Sequence, residues 1–99
     1  MLLAVARLAG DAYGMSIRRE IEEQSDRHVA IGAVYATLDR LRDKGYVRSL
    51  KGDTSPERDG RARKFFTVTR AGAEVLEEAR ALQDRMWDGL ELERGRSEA

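Results

Sequence analysis

The sequence predicts a mostly α-helical chain with one small β-hairpin, an α+β fold around a single core. Apolar residues recur every three to four positions in several segments, which is the spacing of amphipathic helices. Two β-prone runs flank a loop rich in Gly, Asp, Ser and Arg, which is typical of a hairpin. A chain of 99 residues is long enough for one modest hydrophobic core.

The first two helices are predicted near the N-terminus. Residues 1–9 are good helix formers and are followed by Gly10, the residue type that most often closes a helix. Because no capping residue precedes this helix, we expect the element to start upstream of Met1. Residues 13–23 form the second helix, since apolar residues recur there every four positions.

The remaining elements follow from the same patterns. Residues 31–44 carry an apolar stripe and are followed by Gly45, which predicts a third helix. Two strands are predicted over residues 46–51 and 63–69, joined by a loop. Thr69 is a natural N-cap for a final helix over residues 70–92, which would be roughly 35 Å long.

The order helix, helix, helix, hairpin, helix is the plan of a winged helix-turn-helix, in which the third helix is the recognition helix and the hairpin loop is the wing. We therefore predict a DNA-binding domain over residues 1–69. Residues 70–99 would form a long C-terminal dimerisation helix and a tail.

The charge distribution fits this plan better than the net charge does. The formal net charge is zero, and most nucleic-acid-binding domains show a basic surface. However, residues 1–69 carry a charge of +3 and residues 70–99 a charge of −3. Between residues 40 and 64, nine basic residues face four acidic ones. The sequence thus predicts one basic patch and an acidic C-terminal segment.

The third helix has an unusual surface. A helical wheel places Gly32, Ala33 and Ala36 opposite the apolar stripe, with Tyr35 on the flank. Small residues allow close approach to a major groove, and Arg40 can reach the DNA backbone. The alternatives are that the small residues simply favour helix formation or that they pack against the second helix. Tyr35 fits equally well as a DNA contact or as a ring at the edge of the core.

Cations surround the glycine of the predicted wing. Among these cations, Arg61, Arg63 and Lys64 are predicted to contact DNA phosphates. Charge runs are usually solvated surface, but this run follows the predicted recognition helix through a short hairpin, which would bring it to the same side. Phosphate contacts of this kind add affinity that depends on salt and not on sequence.

The last helix carries more apolar surface than a small core can cover. We predict that its apolar stripe, together with the first helix, forms the interface with a second copy. The predicted interface residues are Leu3, Val75, Ala79, Leu82, Met86, Trp87 and Leu90. The alternative is that the end of the helix folds back onto its own domain.

Catalysis, metal binding and membrane insertion have little support. The chain has no Cys, its one His lies in a predicted turn, and no phosphate loop or metal-ligand spacing occurs. We therefore expect no enzyme activity, no cofactor and no metal. The longest apolar stretch, residues 1–9, is too short to span a bilayer as a helix. Cysteine-free composition fits a reducing compartment, so a cytoplasmic protein is expected.

Several segments, in order and at this spacing, resemble the PadR family of bacterial transcriptional regulators. The resemblance runs from about Leu2 to Leu82 and rests on Tyr13-Gly14, on residues 32–41, on residues 44–47, and on residues 60–69 followed by Ala71-Gly72.

The resemblance implies a winged helix-turn-helix with a dimerising C-terminal helix, usually a repressor at an inverted-repeat operator. It implies that Tyr35 faces DNA and that Arg61, Arg63 and Lys64 are wing contacts. Some members release DNA when a small aromatic or drug-like molecule binds at the dimer interface, where Trp87 would lie, although the sequence assigns no such ligand.

Two departures from the family stand out. Ala30 replaces the usual cap before the recognition helix, which removes a hydrogen bond worth about 0.5 to 2 kcal/mol. The first helix is also short, which would weaken a dimer. The main rival interpretation is a winged-helix protein-interaction module that does not bind DNA, and the zero net charge is its best support.

Overall fold

The computed structural model describes residues 1–54 and 62–92. Within these segments it contains four α-helices and one antiparallel two-stranded sheet. The helices are α1 (Leu2–Leu8), α2 (Gly14–Ser25), α3 (Ile31–Asp43) and α4 (Arg70–Trp87), and a short 3-10 turn, Ala9–Asp11, follows α1. The strands are β1 (Val47–Thr54) and β2 (Ala62–Val68). The predicted fold class, a mostly helical winged helix with one hairpin, is confirmed.

One core holds the helices and the hairpin together. Its largest fully buried side chains come from every element of the helix-turn-helix and from the hairpin. They are Val5, Ile17, Val34, Leu38 and Phe66. The first turns of α4 contribute Leu76, which packs against this cluster. The core therefore joins the base of the hairpin, at Val47 and Phe66, to α3.

The ends of α1 and α2 differ from the sequence prediction. Helix α1 ends at Leu8, one residue earlier than predicted, because Ala9 and not Gly10 adopts the positive φ (53°) that closes it; the Ala9 N–H donates to the Ala6 carbonyl. Helix α2 runs two residues past Glu23 to Ser25 and is followed by Asp26, which has a left-handed conformation (φ 57°). Asp tolerates that conformation better than most residues do.

Residues 12–13 form a third, very short extended segment beside β2, which the sequence pattern did not reveal. The N–H of Phe66 donates to the Ala12 carbonyl at 2.8 Å, and Tyr13 forms an isolated antiparallel bridge with Phe65. The hydroxyl of Ser16 accepts from the Tyr13 N–H at 2.9 Å and donates to the Asp11 carbonyl at 2.6 Å. These bonds fix the start of α2 against the hairpin.

The start of α4 agrees with the prediction. Thr69 caps the helix, because its side chain accepts from the Gly72 N–H at 3.1 Å. The same hydroxyl donates to the Gly45 carbonyl, just after α3, at 2.5 Å. Gly72 lies so close to the Tyr46 carbonyl that a Cβ at this position would overlap it.

The predicted end of the last helix is wrong. Helix α4 ends at Trp87 and not at Leu92, because Asp88 leaves the helical conformation and Gly89 takes a positive φ of 75°. The helix is therefore roughly 27 Å long, about a turn and a half shorter than expected. Leu90, a predicted interface residue, lies beyond the helix and is exposed.

Candidate nucleic-acid interface

Helix α3 presents one buried face and one open face. Val34 and Leu38 are fully buried, whereas Gly32, Ala33 and Ala36 are all exposed. The small residues therefore do not pack against α2, which was one of the two alternative explanations for them. No side-chain hydrogen bond caps the helix at Ala30, as expected from the sequence.

Tyr35 packs at the edge of the core and also faces solvent. The side chain is 43% exposed, so part of it faces solvent beside the small residues. Its hydroxyl end lies directly over Gly14, where a Cβ would overlap it. Because residue 14 has no side chain, Tyr35 of α3 can pack directly against the backbone at the start of α2.

Arg40 completes the open face of α3. It is exposed in the last turn of the helix, and its guanidinium donates to the Thr37 hydroxyl at 3.2 Å. Asp39 and Arg42 form an ion pair of 3.5 Å on the same part of the helix. The first turn contains no acidic residue, so the positive end of the helix dipole is not offset there.

The hairpin brings two lysines together. Lys51 of β1 and Lys64 of β2 are directly paired in the antiparallel register, and both are exposed. Beyond Lys51 the register shifts before Thr54 pairs with Ala62. Strand β1 runs to Thr54, three residues further than predicted, and both lysines lie within the predicted strands as well as the observed ones. Arg61, a predicted wing contact, lies outside the described residues.

Arg63 has an intramolecular partner. Its guanidinium lies over the Tyr13 ring, 4.0 Å from the ring centroid, and the residue is half-buried. The Tyr13 ring also meets Phe65 edge-on, with centroids 5.5 Å apart, and its hydroxyl accepts from Arg19 at 3.0 Å. Sequence reasoning missed this cluster because its members come from separate elements, and only the isolated bridge between Tyr13 and Phe65 aligns them.

The turn between α2 and α3 depends on one carboxylate. Glu22 accepts from the Val29 N–H at 3.0 Å and contacts the His28 ring at 3.1 Å and Arg18 at 3.4 Å. The backbone hydrogen bond from Val29, followed by those from His28 and Arg18, holds the pKa of Glu22 below its usual value. The His28 side chain is almost fully exposed apart from this contact with Glu22.

We expect Glu22→Gln to destabilise the protein at neutral pH but not in acid. Because folding lowers the pKa of Glu22, its contribution to stability is complete above the ordinary pKa of an unfolded-state glutamate and is lost as the pH falls through the lower folded-state pKa. Urea unfolding at several pH values measures this, with the exposed neighbour Glu23→Gln as control. A stability difference that persists unchanged in acid would contradict the assigned role.

An exposed apolar surface lies along α4 and α1. Leu3, Met86 and Trp87 are 60%, 69% and 52% exposed, and Leu82 is exposed as well. Ala79 is also exposed, and Val75 is half-buried. A groove of about 560 Å³ runs between the helices and is lined by Leu3, Leu76, Glu77, Ala79, Arg80, Gln83 and Asp84. The end of α4 therefore does not fold back onto the described part of its own chain.

The arrangement of an open α3, a basic hairpin and a projecting helix has a counterpart in a known family. A family model for PadR-like transcriptional regulators matches residues 2–78. The chain belongs to the PadR-like family. PadR-like proteins are transcriptional regulators and not enzymes, so this chain is a transcriptional regulator.

Solved PadR-like structures share the fold. A PadR-like transcription factor from Bacteroides fragilis superposes with a TM-score of 0.74 at 22% identity, covering 88% of this chain and 79% of that one. A PadR family regulator from Eggerthella lenta gives 0.70 at 21% identity, covering 89% and 75%. A PadR-like regulator from Bacillus cereus gives 0.65 at 22% identity, covering 88% and 76%.

Two further findings complete the comparison. No curated protein matches the chain in sequence. Among residues 1–54 and 62–92, no helix is long and apolar enough to cross a membrane, and no group of three acidic or histidine side chains is placed to hold a metal ion.

Proposed function

We propose that this PadR-like regulator is a cytoplasmic homodimer that binds double-stranded DNA at an inverted-repeat operator and represses transcription. Helix α3 enters the major groove, with Gly32, Ala33 and Ala36 closest to the bases. Tyr35 reads the base edges, and Arg40 and Lys64 contact the backbone. The single observation that carries the proposal is the pairing of Lys51 with Lys64 in the hairpin.

Like charges placed directly opposite each other destabilise a sheet. In the folded chain alone, the Lys51–Lys64 pair is therefore unfavourable. A DNA phosphate near the two ammonium groups turns this repulsion into attraction, and the counterions it releases add affinity that depends on salt. A hairpin that presents two lysines side by side fits a polyanion better than it fits a neutral protein surface.

The open face of α3 supports the same partner. An ordinary solvated helix carries long charged side chains, whereas this face carries small ones beside a half-exposed tyrosine. Such a face lets the helix backbone come close to base edges. The rival, a protein-interaction module, rests on the zero net charge, but the charge is divided between a basic N-terminal part and an acidic C-terminal part.

The homodimer is supported by the exposed apolar residues of α4 and α1. Leu3, Leu82, Met86 and Trp87 lie along a surface too apolar for a monomer in water. Glu77, Arg80 and Asp84 alternate in charge beside it, so a two-fold related copy can pair unlike charges. In such a dimer, Trp87 is available to stack on a small aromatic effector.

We expect Lys64→Gln to make the protein more stable and its DNA binding weaker. Removing one lysine of the opposed pair relieves repulsion worth a few tenths to about 1 kcal/mol of unfolding free energy. The same change removes one phosphate contact per subunit. The slope of log K against log salt concentration, which is negative, therefore becomes shallower by about 1.8 per dimer. Urea unfolding and DNA titrations at several salt concentrations measure the two effects.

Arg70→Gln is the matched control, because it also removes one exposed cation. Arg70 lies at the start of α4, beyond the other end of β2, where its side chain is almost fully exposed and forms an ion pair with Glu74 at 3.7 Å. This control should leave the salt slope unchanged. If both variants bind a DNA duplex like the wild type, or if the wild type binds none, the proposed function is wrong.

A further inference from the structure

We infer that Tyr13 and Arg63 are positioning residues that fix the hairpin relative to α3, and that Arg63 supports DNA binding by holding the hairpin against Tyr13. This inference rests on the proposed function, because it concerns how the angle between the two proposed DNA-contacting elements, the hairpin and α3, is held constant. It replaces a direct phosphate contact by Arg63 with an indirect role.

The hairpin contacts the start of α2 through the Tyr13 ring. The Arg63 guanidinium stacks on one face at 4.0 Å, and Phe65 meets the ring edge-on at an interplanar angle of 71°. Phe65 in turn covers Gly52, where a Cβ would lie 2.5 Å from its ring. Strand β2 thereby contacts Tyr13 directly, and β1 is connected to it through Phe65.

Helix α3 contacts the next residue along the chain, Gly14. The Tyr35 hydroxyl end occupies the space that a side chain at position 14 would need. The backbone between the two contacts is fixed, since Ser16 accepts from the Tyr13 N–H and Ala12 accepts from Phe66. Adjacent residues thus carry the hairpin and the recognition helix, so a movement of either contact changes the angle between them.

Arginine suits the role at position 63 because its flat, weakly hydrated guanidinium stacks on a ring face, whereas a lysine ammonium is attracted to the ring only as a strongly hydrated point charge. An exposed cation–π pair changes an equilibrium by about two- to fivefold, and a desolvated pair by more. Because Arg63 is half-buried, its loss should alter the position of the hairpin while leaving the core intact.

A double-mutant cycle on DNA binding tests the inference. Tyr13→Leu, Arg63→Ala and the double variant are titrated with a mixed-sequence duplex of roughly 30 base pairs, long enough for two half-sites. If Arg63 acts through Tyr13, each single variant weakens binding by a similar factor, and the double variant is no weaker than the worse single one. Factors that multiply in the double variant would show that Arg63 contacts DNA itself, and would overturn the inference.

Conservative variants keep the test decisive if Tyr13→Leu does not fold. Tyr13→Phe retains the ring and should bind DNA like the wild type. Arg63→Lys keeps the charge but loses the flat stack, so it should bind DNA more weakly than the wild type and no more weakly than Arg63→Ala. If Arg63→Lys binds like the wild type while the side-chain protons of the new lysine show no ring-current shift from Tyr13, charge alone matters at this position and the inference is wrong.

An NMR measurement separates this inference from the proposed function. The ring current of Tyr13 should shift the Arg63 Nε–H resonance upfield in the free protein and in Tyr13→Phe, and the shift should vanish in Tyr13→Leu. An unshifted resonance in the wild type would remove the geometric basis of the inference. Absence of DNA binding by the wild type would refute the proposed function, and with it the DNA role of these residues, whatever the NMR shows.

Discussion

Leu82→Glu should separate the dimer into monomers and weaken DNA binding by about a hundredfold or more. A carboxylate placed on the exposed apolar stripe of α4 must be buried without a partner in the proposed interface, and two-fold symmetry places it there twice. A hundredfold loss corresponds to about 2.7 kcal/mol, which is modest for two buried charges. Sedimentation velocity gives the oligomeric state, and a DNA titration gives the affinity.

Ala81→Glu adds the same charge at the neighbouring position of α4. Because successive helix residues point about 100° apart, this glutamate lies outside the apolar stripe. The control should remain dimeric and bind DNA like the wild type. If Leu82→Glu sediments and binds like Ala81→Glu, then α4 is not the dimer interface.

Gly72→Ala should cost about 1 to 3 kcal/mol of unfolding free energy, the range seen for overpacked sites. Its methyl group would overlap the Tyr46 carbonyl and press on Val68. The Tyr46 carbonyl also accepts from the Thr69 N–H at 3.0 Å, so it cannot move without breaking the start of α4. Urea unfolding measures the loss directly.

Gly32→Ala is the contrasting substitution for this second experiment. Gly32 also lies in the first turn of a helix, but nothing lies within 4 Å of the place where its Cβ would be. Alanine there should stabilise the protein by up to about 1 kcal/mol, because it favours the helix over the unfolded chain. If the two glycine variants change stability equally, the close approach at Gly72 has no energetic importance.

The elements of the fold could be predicted because their signals are local. Helix α3 reads directly from its apolar period, and the wheel that buries Val34 and Leu38 also leaves Gly32 and Ala36 exposed. Thr69 could be assigned as a cap for the same reason, since capping depends on the nearest residues.

The predicted helix ends are wrong where the backbone leaves the helix before the apolar pattern of the sequence ends. The apolar spacing continues to Leu92, but the chain leaves the helix at Asp88 and Gly89, which a count of hydrophobic residues does not register. Gly10 is the obvious helix stop in the sequence, yet Ala9 takes the positive φ. Helix ends depend on backbone geometry, which one sequence specifies weakly.

The interface could be predicted only in part, because half of it depends on strand register. Composition places Lys64 in the wing, but only the pairing of β1 with β2 shows that Lys51 lies opposite it. The stack of Arg63 on Tyr13 joins residues 50 positions apart and requires the short extended segment at residues 12–13. No periodicity within either segment indicates such a contact.

The Thr69 hydroxyl joins the end of α3 to the start of α4, since it donates to the Gly45 carbonyl and accepts from the Gly72 N–H. The two helices therefore cannot turn separately without breaking one of these bonds. In the proposed dimer, the tilt of α4 sets the separation and the rotational phase of the two reading helices. One base pair added between half-sites rotates one of them by roughly 35°, so operators with altered spacing should be poor ligands.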